Sequence, residues 1–219
     1  MANEIVENAL LVINQRGLAS ECSIGELQLD FEKFQQILIK WQRVQNLVSR
    51  ETLDQYWQRH VADSLQLLSN IKQSDKLIVD FGSGGGFPAI PLAIVLKNSE
   101  VEFILVESNS RKVAFLRALK RELGLNIVVK DMRIDDFKLP EKLKPDLITA
   151  RALAGLDDLL AFSQPHWGEK TRALFLKGKE YAEEVEKARI RWGFNVLIVD
   201  NVIDDSGVLL EISNLHTNL

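Results

Sequence analysis

The sequence predicts an α/β protein: a mostly parallel sheet of seven strands with helices on both faces, preceded by a helical extension. Three observations lead to this fold class. Short β-rich runs alternate with amphipathic helical stretches from residue 76 onward, which is typical of βαβ units. The first run ends in a glycine-rich loop. The last two runs are joined by a turn at residues 204–207 with no room for a helix, so the last strand should be antiparallel.

The predicted elements of this region are spaced for right-handed crossovers. The strands are expected at Leu77–Phe81, Val101–Glu107, Ile127–Lys130, Asp146–Thr149, Ala173–Leu176, Phe194–Val199 and Val208–Ile212. The helices between them are expected at Pro88–Leu96, Arg111–Leu123, Leu156–Phe162 and Tyr181–Arg191. Pro88 and Pro91 mark the start of the first of these helices, because backbone N–H groups lack helical acceptors there.

The residues before position 76 show helical periodicity and no convincing strand. We expect helices at Glu4–Gln15 and Leu29–Leu47, with the pattern continuing over Asp63–Leu68. The second helix should bury one side, formed by Phe31, Phe34, Leu38, Trp41 and Val44. The predicted division is a helical extension over residues 1–75 and a core over residues 76–219, joined in one compact unit.

Composition excludes several classes of protein. The chain has 219 residues, of which 46% are hydrophobic and 26% charged, as in soluble globular enzymes. The longest apolar run, Phe87–Leu96, is too short to cross a membrane, and the N-terminus does not read as a secretory signal. A single cysteine, Cys22, cannot form an intrachain disulfide or a thiolate metal cage. We therefore expect a cytoplasmic protein with no metal centre and no membrane contact.

The net charge of −4 argues against a nucleic-acid footprint over the whole molecule, and DNA is not an expected partner. A local footprint remains open. Basic residues gather at Arg111, Lys112, Arg117, Lys120 and Arg121. Taken alone, this run is best interpreted as a solvent-exposed helix face.

The glycine-rich loop predicts a nucleotide-like ligand at the end of the first strand. Asp80 is followed by Gly82, Gly84, Gly85 and Gly86, and backbone without Cβ lets a ligand come close. A dinucleotide fingerprint needs a third glycine where this chain has Phe87, which disfavours an NAD oxidoreductase. The carboxylate of Asp80, just before the turn, suits a ligand that carries a positive charge and no phosphate. S-adenosylmethionine, with a sulfonium and an ammonium, is such a ligand.

Two further markers support an adenosine ligand. Glu107 ends the second strand, where an acidic side chain can accept hydrogen bonds from both ribose hydroxyls in NAD and S-adenosylmethionine sites alike. The alternative for Glu107 is a helix-capping carboxylate. The loop after the third strand could wall the adenine, with the backbone of Ile134 and the side chain of Asp135 or Asp131 meeting its amine. An ordinary surface turn fits this loop nearly as well.

Motifs along nearly the whole chain resemble those of the RsmG (GidB) family of bacterial methyltransferases, which modify a small-subunit ribosomal RNA guanine at N7. They are Trp41 with Asn46-Leu47, Arg59-His-Val-Ala-Asp-Ser-Leu65, Asp80-Phe-Gly-Ser-Gly-Gly-Gly-Phe-Pro88 with Ile90-Pro-Leu92, Glu107-Ser108, Arg111-Lys112, Phe115-Leu116, Asp146-x-Ile-Thr-Ala-Arg-Ala152 and Lys177-Gly178. The resemblance implies a class I, Rossmann-like S-adenosylmethionine-dependent methyltransferase core, seven-stranded with the last strand antiparallel, plus an N-terminal helical extension.

The resemblance also implies roles for individual residues. Gly82 and Phe87 would contact the cofactor, Ile134 and Asp135 the adenine, and Arg151 the mouth shared by cofactor and substrate. The chain departs from the family pattern in two places. It has Arg133-Ile-Asp135 where Arg-x-Glu is usual, and Ala89 where glycine is usual.

For a guanine N7 acceptor we expect catalysis by positioning, because the N7 lone pair can attack a methyl group without first losing a proton. Arg151 and Lys177 are the candidate catalytic residues. The predicted phosphate contacts are Arg59, His60, Arg133, Arg151, Lys177 and Lys179. For His60 the alternative is a helix-surface side chain packed on Trp57 or Val61.

The predicted partner is small-subunit (16S) ribosomal RNA or its ribosomal particle, and we expect the protein to act as a monomer. Two other functions remain open from the sequence. One is a methyltransferase that acts on a small molecule or a protein, which the acidic pI permits. The other is a non-catalytic RNA-binding or ribosome-assembly module that keeps the cofactor site as a relic.

Overall fold

The computed structural model describes residues 1–18, 22–203 and 207–218. Its sheet has seven strands in the order β3-β2-β1-β4-β5-β7-β6. The strands are β1 (Leu77–Phe81), β2 (Glu102–Glu107), β3 (Ile127–Asp131), β4 (Leu147–Arg151), β5 (Arg172–Lys177), β6 (Trp192–Asp200) and β7 (Val208–Thr217). β7 runs opposite to the other six strands, so the predicted sheet with a reversed last strand is confirmed. Residues 204–206 of the predicted turn lie outside the described residues.

The helices cover both faces of this sheet. They are α1 (Ala2–Arg16), α2 (Ile24–Gln42), α3 (Arg50–Leu53), α4 (Asp63–Leu65), α5 (Ala89–Val95), α6 (Ser110–Leu123), α7 (Leu156–Ser163) and α8 (Tyr181–Ala188). A π-helix over Tyr56–Ala62 precedes α4, and a 3₁₀ turn over Gln66–Asn70 follows it. One apolar cluster joins α1 and α2 to α5, α6 and one sheet face, and a second joins α7 and α8 to the other.

The predicted bounds of α2 were wrong at both ends. The helix begins at Ile24 because Ser23 and Glu26 form a capping box, each side chain accepting a hydrogen bond from the other's backbone N–H. It ends at Gln42, whose side chain bonds the following loop, and Val44 lies beyond the helix with 72% of its surface exposed.

The N-terminal helices bury their aromatic side chains against the core. Phe34 packs on Phe87 with ring centroids 5.2 Å apart, and Trp41 meets Phe115 of α6 edge-on at 5.9 Å. The Tyr56 hydroxyl donates a hydrogen bond to the carbonyl of Phe31 at 3.0 Å. The extension therefore shares its hydrophobic core with the sheet, and the division at residue 75 remains a proposal.

The strand order reverses between β1 and β4, which pair in register with Asp80 opposite Thr149. In open α/β sheets, ligands bind at such a switch point, outside the carboxyl ends of the strands. Among the described residues, no helix combines the length and the apolar character that crossing a membrane requires.

Candidate active site

Three glycines of the loop after β1 have backbone angles that disfavour other residues. The φ angles of Gly82, Gly84 and Gly86 are 63°, 48° and 88°. A Cβ on Gly82 would lie 2.5 Å from Cδ1 of Leu153, and one on Gly86 would lie 2.6 Å from Cγ1 of Ile90. Any other residue at these positions would combine a strained positive φ with displacement of Leu153 or Ile90.

Glu107 ties this loop to the start of α6. Its Oε2 accepts a hydrogen bond from the Gly84 N–H at 2.9 Å, and its Oε1 accepts one from the Asn109 N–H at 2.8 Å. The cap of α6 is Asn109, whose Oδ1 accepts the N–H groups of Arg111 and Lys112 at 3.0 and 3.3 Å, so the alternative of Glu107 as the helix-capping carboxylate was wrong. Each carboxylate oxygen retains a second lone pair that can accept a ribose hydroxyl.

The space beside Gly84 forms a cradle for a ligand. A Cβ there would meet the Gly82 carbonyl oxygen at 3.5 Å, Lys112 Nζ at 3.8 Å and Glu107 Oε2 at 4.0 Å, with no clash. A ligand in this space would face a carbonyl, a carboxylate and an ammonium group. The carbonyl and the carboxylate suit hydroxyls and a positively charged amine, whereas the ammonium of Lys112 suits a negatively charged group.

Asp80 supplies a buried carboxylate beneath the loop. Its Oδ1 accepts a hydrogen bond from the Thr149 hydroxyl at 2.7 Å, while Oδ2 is buried with no hydrogen-bond partner among the described residues. Burial raises the pKa of Asp80 to about 7, a value that already includes the opposing hydrogen bonds of Ser83 and Thr149 and a smaller increase from the charge of Glu107. A cationic ligand would stabilise the ionised form, so these residues fit S-adenosylmethionine.

A cleft of about 920 Å³ opens between the glycine loop, the loop of residues 46–52 and the carboxyl ends of β4 and β5. Gln42 holds the second loop: its Oε1 accepts the N–H groups of Leu47 and Val48 at 2.8 and 3.2 Å. The Leu47 carbonyl lies so close to Gly85 that a Cβ there would approach it to 2.8 Å. The extension thus forms one wall of the cleft.

Arg151 is fixed at the mouth of this cleft by several groups. Its Nη2 donates to the Arg59 carbonyl at 2.9 Å and to His60 Nδ1 at 3.2 Å. Its Nη1 lies 3.2 Å from Asp63 Oδ2, close enough for an ion pair but without hydrogen-bond alignment. The guanidinium also stands 5.7 Å from the centroid of the Phe87 ring. Burial lowers the pKa of Arg151, Asp63 raises it, and Arg59 lowers it.

His60 is a buried, neutral part of this arrangement. Because Arg151 donates to Nδ1, the proton of the ring belongs on Nε2, which lies 3.0 Å from the Thr52 hydroxyl. Burial, together with the positive charges of Arg151 and Arg59, lowers the pKa of His60 to about 4. Its ring stacks on Phe87 at 4.7 Å, so the predicted surface packing on Trp57 or Val61 was wrong.

Asp63 extends the network to the far side of the cleft. Its Oδ1 accepts hydrogen bonds from Asn201 Nδ2 at 2.8 Å and from Gln66 Nε2 at 3.0 Å. Sequence reasoning missed Thr52, Asp63 and Asn201 as site residues. The helical spacing of His60 and Asp63 was a usable signal for one of them, whereas nothing local marks Asn201.

The other predicted residues fall into three groups. Lys177 lines the cleft but is paired: its Nζ lies 2.6 Å from Glu184 Oε2 and donates to the Ala154 carbonyl at 2.8 Å. Lys179 is exposed beside it. Arg133, Ile134 and Asp135 lie beyond the end of β3, outside this cleft, and Arg133 pairs with Asp135 at 3.1 Å.

The structure therefore brings only part of the predicted set to the cleft. The predicted residues that line it are Arg59, His60, Gly82, Gly84, Phe87, Arg151 and Lys177. Asp80 and Glu107 lie behind the glycine loop. In the described part of the chain, no group of three or more His, Cys, Asp or Glu side chains is placed to hold a metal ion.

Comparison with known proteins identifies the family. A family model described as "GidB: rRNA small subunit methyltransferase G" matches residues 28–207. The chain belongs to this family. A relative from Bartonella henselae, named ribosomal RNA small subunit methyltransferase G, is 43% identical over 195 residues, covering 88% of this chain and 89% of that protein. A relative of the same name from Ruegeria sp. is 38% identical over 202 residues, covering 88% and 97%.

Solved structures support the fold. The glycopeptide N-methyltransferase MtfA in complex with S-adenosylmethionine matches with a TM-score of 0.58 and 11% identity, covering 72% of this chain and 95% of that chain. An S-adenosylmethionine-dependent methyltransferase from Aquifex aeolicus matches with a TM-score of 0.58 and 14% identity, covering 80% and 97%. The predicted family and Rossmann-like methyltransferase fold are confirmed. This GidB-family protein is an enzyme that uses S-adenosylmethionine.

Proposed function

We propose that this GidB-family enzyme transfers the methyl group of S-adenosylmethionine to N7 of a guanine in small-subunit ribosomal RNA. The observation that carries the proposal is the cleft itself. One end is the glycine cradle above Asp80, and the other is Arg151, held rigidly at the mouth. The names of the relatives and of the family supply the class of acceptor.

Binding the cofactor would be the task of the cradle. S-adenosylmethionine supplies an electrophilic methyl group on a sulfonium. The Asp80 carboxylate and the Gly82 carbonyl would attract its positively charged groups, and Glu107 would accept the ribose hydroxyls. The contacts of Ile134 and Asp135 with the adenine remain part of the proposal, at the end of the neighbouring strand β3.

The chemistry of the cleft suits an acceptor that has no proton to lose. His60 is the histidine that lines the cleft, and both of its ring nitrogens are occupied by hydrogen bonds. With a pKa lowered to about 4, it is neutral and has no free lone pair to act as a general base. Guanine N7 needs no base, so orientation of the acceptor would supply most of the rate enhancement.

Arg151 would orient the acceptor. Its guanidinium is held by Arg59, His60 and Asp63, so one well-defined geometry faces the cleft. A fixed guanidinium can hold a phosphate or the guanine O6 at little further entropic cost. Since Glu184 already neutralises Lys177, the role of that lysine is to hold the loop after β4 through the Ala154 carbonyl.

The acceptor guanine is expected in a loop or an opened helix. The major groove of duplex RNA, where N7 lies, is too deep and narrow for a protein to enter. An extruded base could instead enter the cleft beside Phe87. Action on free RNA or on an assembled particle, a monomeric state and a cytoplasmic location all remain predictions.

The test is methyl transfer from tritiated S-adenosylmethionine to small-subunit particles, to 16S RNA stripped of protein and, as a control, to transfer RNA. We expect incorporation into one small-subunit species, mapped to a single N7-methylguanosine by base-resolved cleavage. The Gly84→Ala variant serves as a cofactor-site control. Methylation at a position other than guanine N7, or none with any assembly state, would overturn the proposal.

A further inference from the structure

Five basic residues lie on the last turn of α2, on its C-cap and on the first half of α6. We call this surface the α2–α6 patch: Lys40, Arg43, Arg111, Lys112 and Arg117. Four of them are exposed, and Lys112 is half-buried. The sequence alone favoured a plain solvated helix face for the α6 residues, but the structure adds α2 to them.

Contacts along their length show that α2 and α6 run antiparallel to each other. Lys33 Nζ donates to the Glu122 carbonyl at 2.6 Å near one end, and Trp41 meets Phe115 at 5.9 Å further along. Gln45 Nε2 donates to the Arg111 carbonyl at 3.2 Å at the other end. The last turn of α2 therefore lies beside the first turn of α6.

The patch carries uncompensated positive charge. Within the described residues, none of its five side chains lies within ion-pair distance, 4.0 Å, of a carboxylate. The opposite end of α6 differs, because Glu122 pairs there with Lys33 at 3.7 Å and with Arg121 at 3.3 Å. Asp131 reaches the first turn of α6 only through the Ser110 hydroxyl, at 3.4 Å. A local excess of cations thus stands on a protein whose net charge is −4.

Helix stability explains cations at the end of α2, where the dipole favours them, but not those in the first turn of α6. Arg111 and Lys112 occupy the first turn of α6 after the cap Asn109, and that turn contains no acidic residue. The helix dipole disfavours cations at a helix N-terminus. The same dipole adds to their attraction for an anion that arrives from outside.

The patch is continuous with the cleft. Lys112 lines the cleft from the α6 side, and Asn46, three residues after Arg43, lines it from the extension. We propose that the α2–α6 patch binds backbone phosphates of the RNA segment that flanks the methylated guanine. This inference rests on the proposed function. It assigns the main phosphate contacts to the patch and no longer to His60 and Lys177, because the side chains of those two residues already bond to other groups of the protein.

An RNA partner is favoured over an acidic protein by the make-up of the surface. Stable protein interfaces have an apolar centre, and the large apolar side chains exposed beside these cations in the described residues, Val44 at 72% and Ile39 at 38%, are too few to form one. Separate cations spread over two helices suit the regularly spaced charges of a nucleic-acid backbone.

The experiment compares two double charge reversals that each change the net charge by the same amount. Arg43→Glu/Arg117→Glu alters the patch without touching the cleft, and Lys138→Glu/Lys170→Glu alters exposed lysines elsewhere. Binding to protein-free 16S RNA and to small-subunit particles is measured from 50 to 300 mM salt. Binding of S-adenosylhomocysteine and the thermal midpoint are measured in parallel.

We expect the patch variant to lose about 25- to 60-fold in RNA affinity at 0.1 M salt, with a salt slope lower by about 1.4–1.8 for two lost phosphate contacts. The control pair, the cofactor affinity and the thermal midpoint should stay near the wild-type values. Equal losses in both pairs would overturn the inference by showing a general charge effect. Loss of particle binding with intact RNA binding would overturn it in favour of a protein partner.

The wild-type enzyme separates this inference from the function on which it rests. If it methylates and binds small-subunit RNA while the patch variant binds with unchanged affinity and slope, only the patch assignment is wrong. If the wild type neither binds nor methylates any small-subunit RNA, both the proposed function and the patch assignment are wrong.

Discussion

Replacing Asp80 by asparagine tests the electrostatics of the cofactor cradle while keeping its shape. The amide oxygen can still accept the hydrogen bond from Thr149, and the amide nitrogen takes the place of Oδ2. Burial raises the pKa of Asp80 to about 7 from an ordinary value of 3.8. Between these values the folded protein binds one more proton than the unfolded chain, so its stability falls as the pH rises.

The size of the effect follows from the two pKa values. Each pKa unit corresponds to about 1.4 kcal/mol, so ionising Asp80 in the folded protein costs about 4 kcal/mol over the full range. The stabilisation is complete below pH 3.8 and is lost as the pH passes 7. About 2.5 kcal/mol of this change falls between pH 5 and pH 8.

Urea unfolding of the ligand-free protein at pH 5, 6, 7 and 8 measures this directly. The unfolding free energy of Asp80→Asn relative to wild type should rise by about 2.5 kcal/mol across the series. His60 titrates in both proteins and cancels in the difference, and the exposed Asp54→Asn variant is the control. A difference that stays flat within about 0.5 kcal/mol would refute the assignment of a protonated Asp80.

The same variant should bind S-adenosylhomocysteine about 10- to 100-fold more weakly by calorimetry at pH 8, because an amide offers no charge to the ligand's ammonium. His60→Gln should lower kcat about tenfold with unchanged cofactor affinity, since Arg151 loses its support. The pKa of His60 is about 4 in the folded protein and 6.5 as the ordinary value, so the unfolded chain binds a proton first as the pH falls. In the same unfolding assay, the unfolding free energy of wild type should therefore fall by about 2 kcal/mol relative to His60→Gln between pH 7 and pH 5. Gly84→Ala should lower the unfolding free energy by about 1 kcal/mol, because alanine is strained at a φ of 48°. Its methyl group should also fill the cradle and lower cofactor affinity at least tenfold, whereas the control Gly25→Ala should leave cofactor affinity unchanged. A double-mutant cycle of Asp63→Asn and Arg151→Lys in thermal unfolding should give a coupling of about 0.5–3 kcal/mol; additivity would contradict the network.

The strands were predictable because their signals are local. β1 lies at Leu77–Phe81 as predicted, and apolar runs bounded by turns fixed the others closely. β7 runs on to Thr217, past the predicted end at Ile212, because it pairs with β6 as far as Trp192. The pairing of residues 213–217 depends on the neighbouring strand β6, and these residues show no alternation of apolar and polar side chains that would predict a strand.

The site was predictable only in part. Motif residues such as Gly82 and Arg151 could be assigned to the cleft, because glycine loops and strand ends have a fixed place in this topology. The partners of Arg151 could not be predicted, because Arg59 and His60 lie 92 and 91 positions away along the chain. Helical periodicity gives the face of a helix, but not which strand end that face will meet.

The two ends of the cleft respond differently to pH. At the acceptor end, His60 is kept neutral because the extension buries it against Phe87, and Asp63 holds the charge of Arg151 in place. With a pKa of about 4, His60 does not change protonation near neutral pH. At the donor end, Asp80 has a pKa of about 7, and a bound cation would keep it ionised. Acidification from pH 8 to pH 6 should therefore act on the enzyme mainly by weakening cofactor binding, with the geometry offered to the acceptor base unchanged.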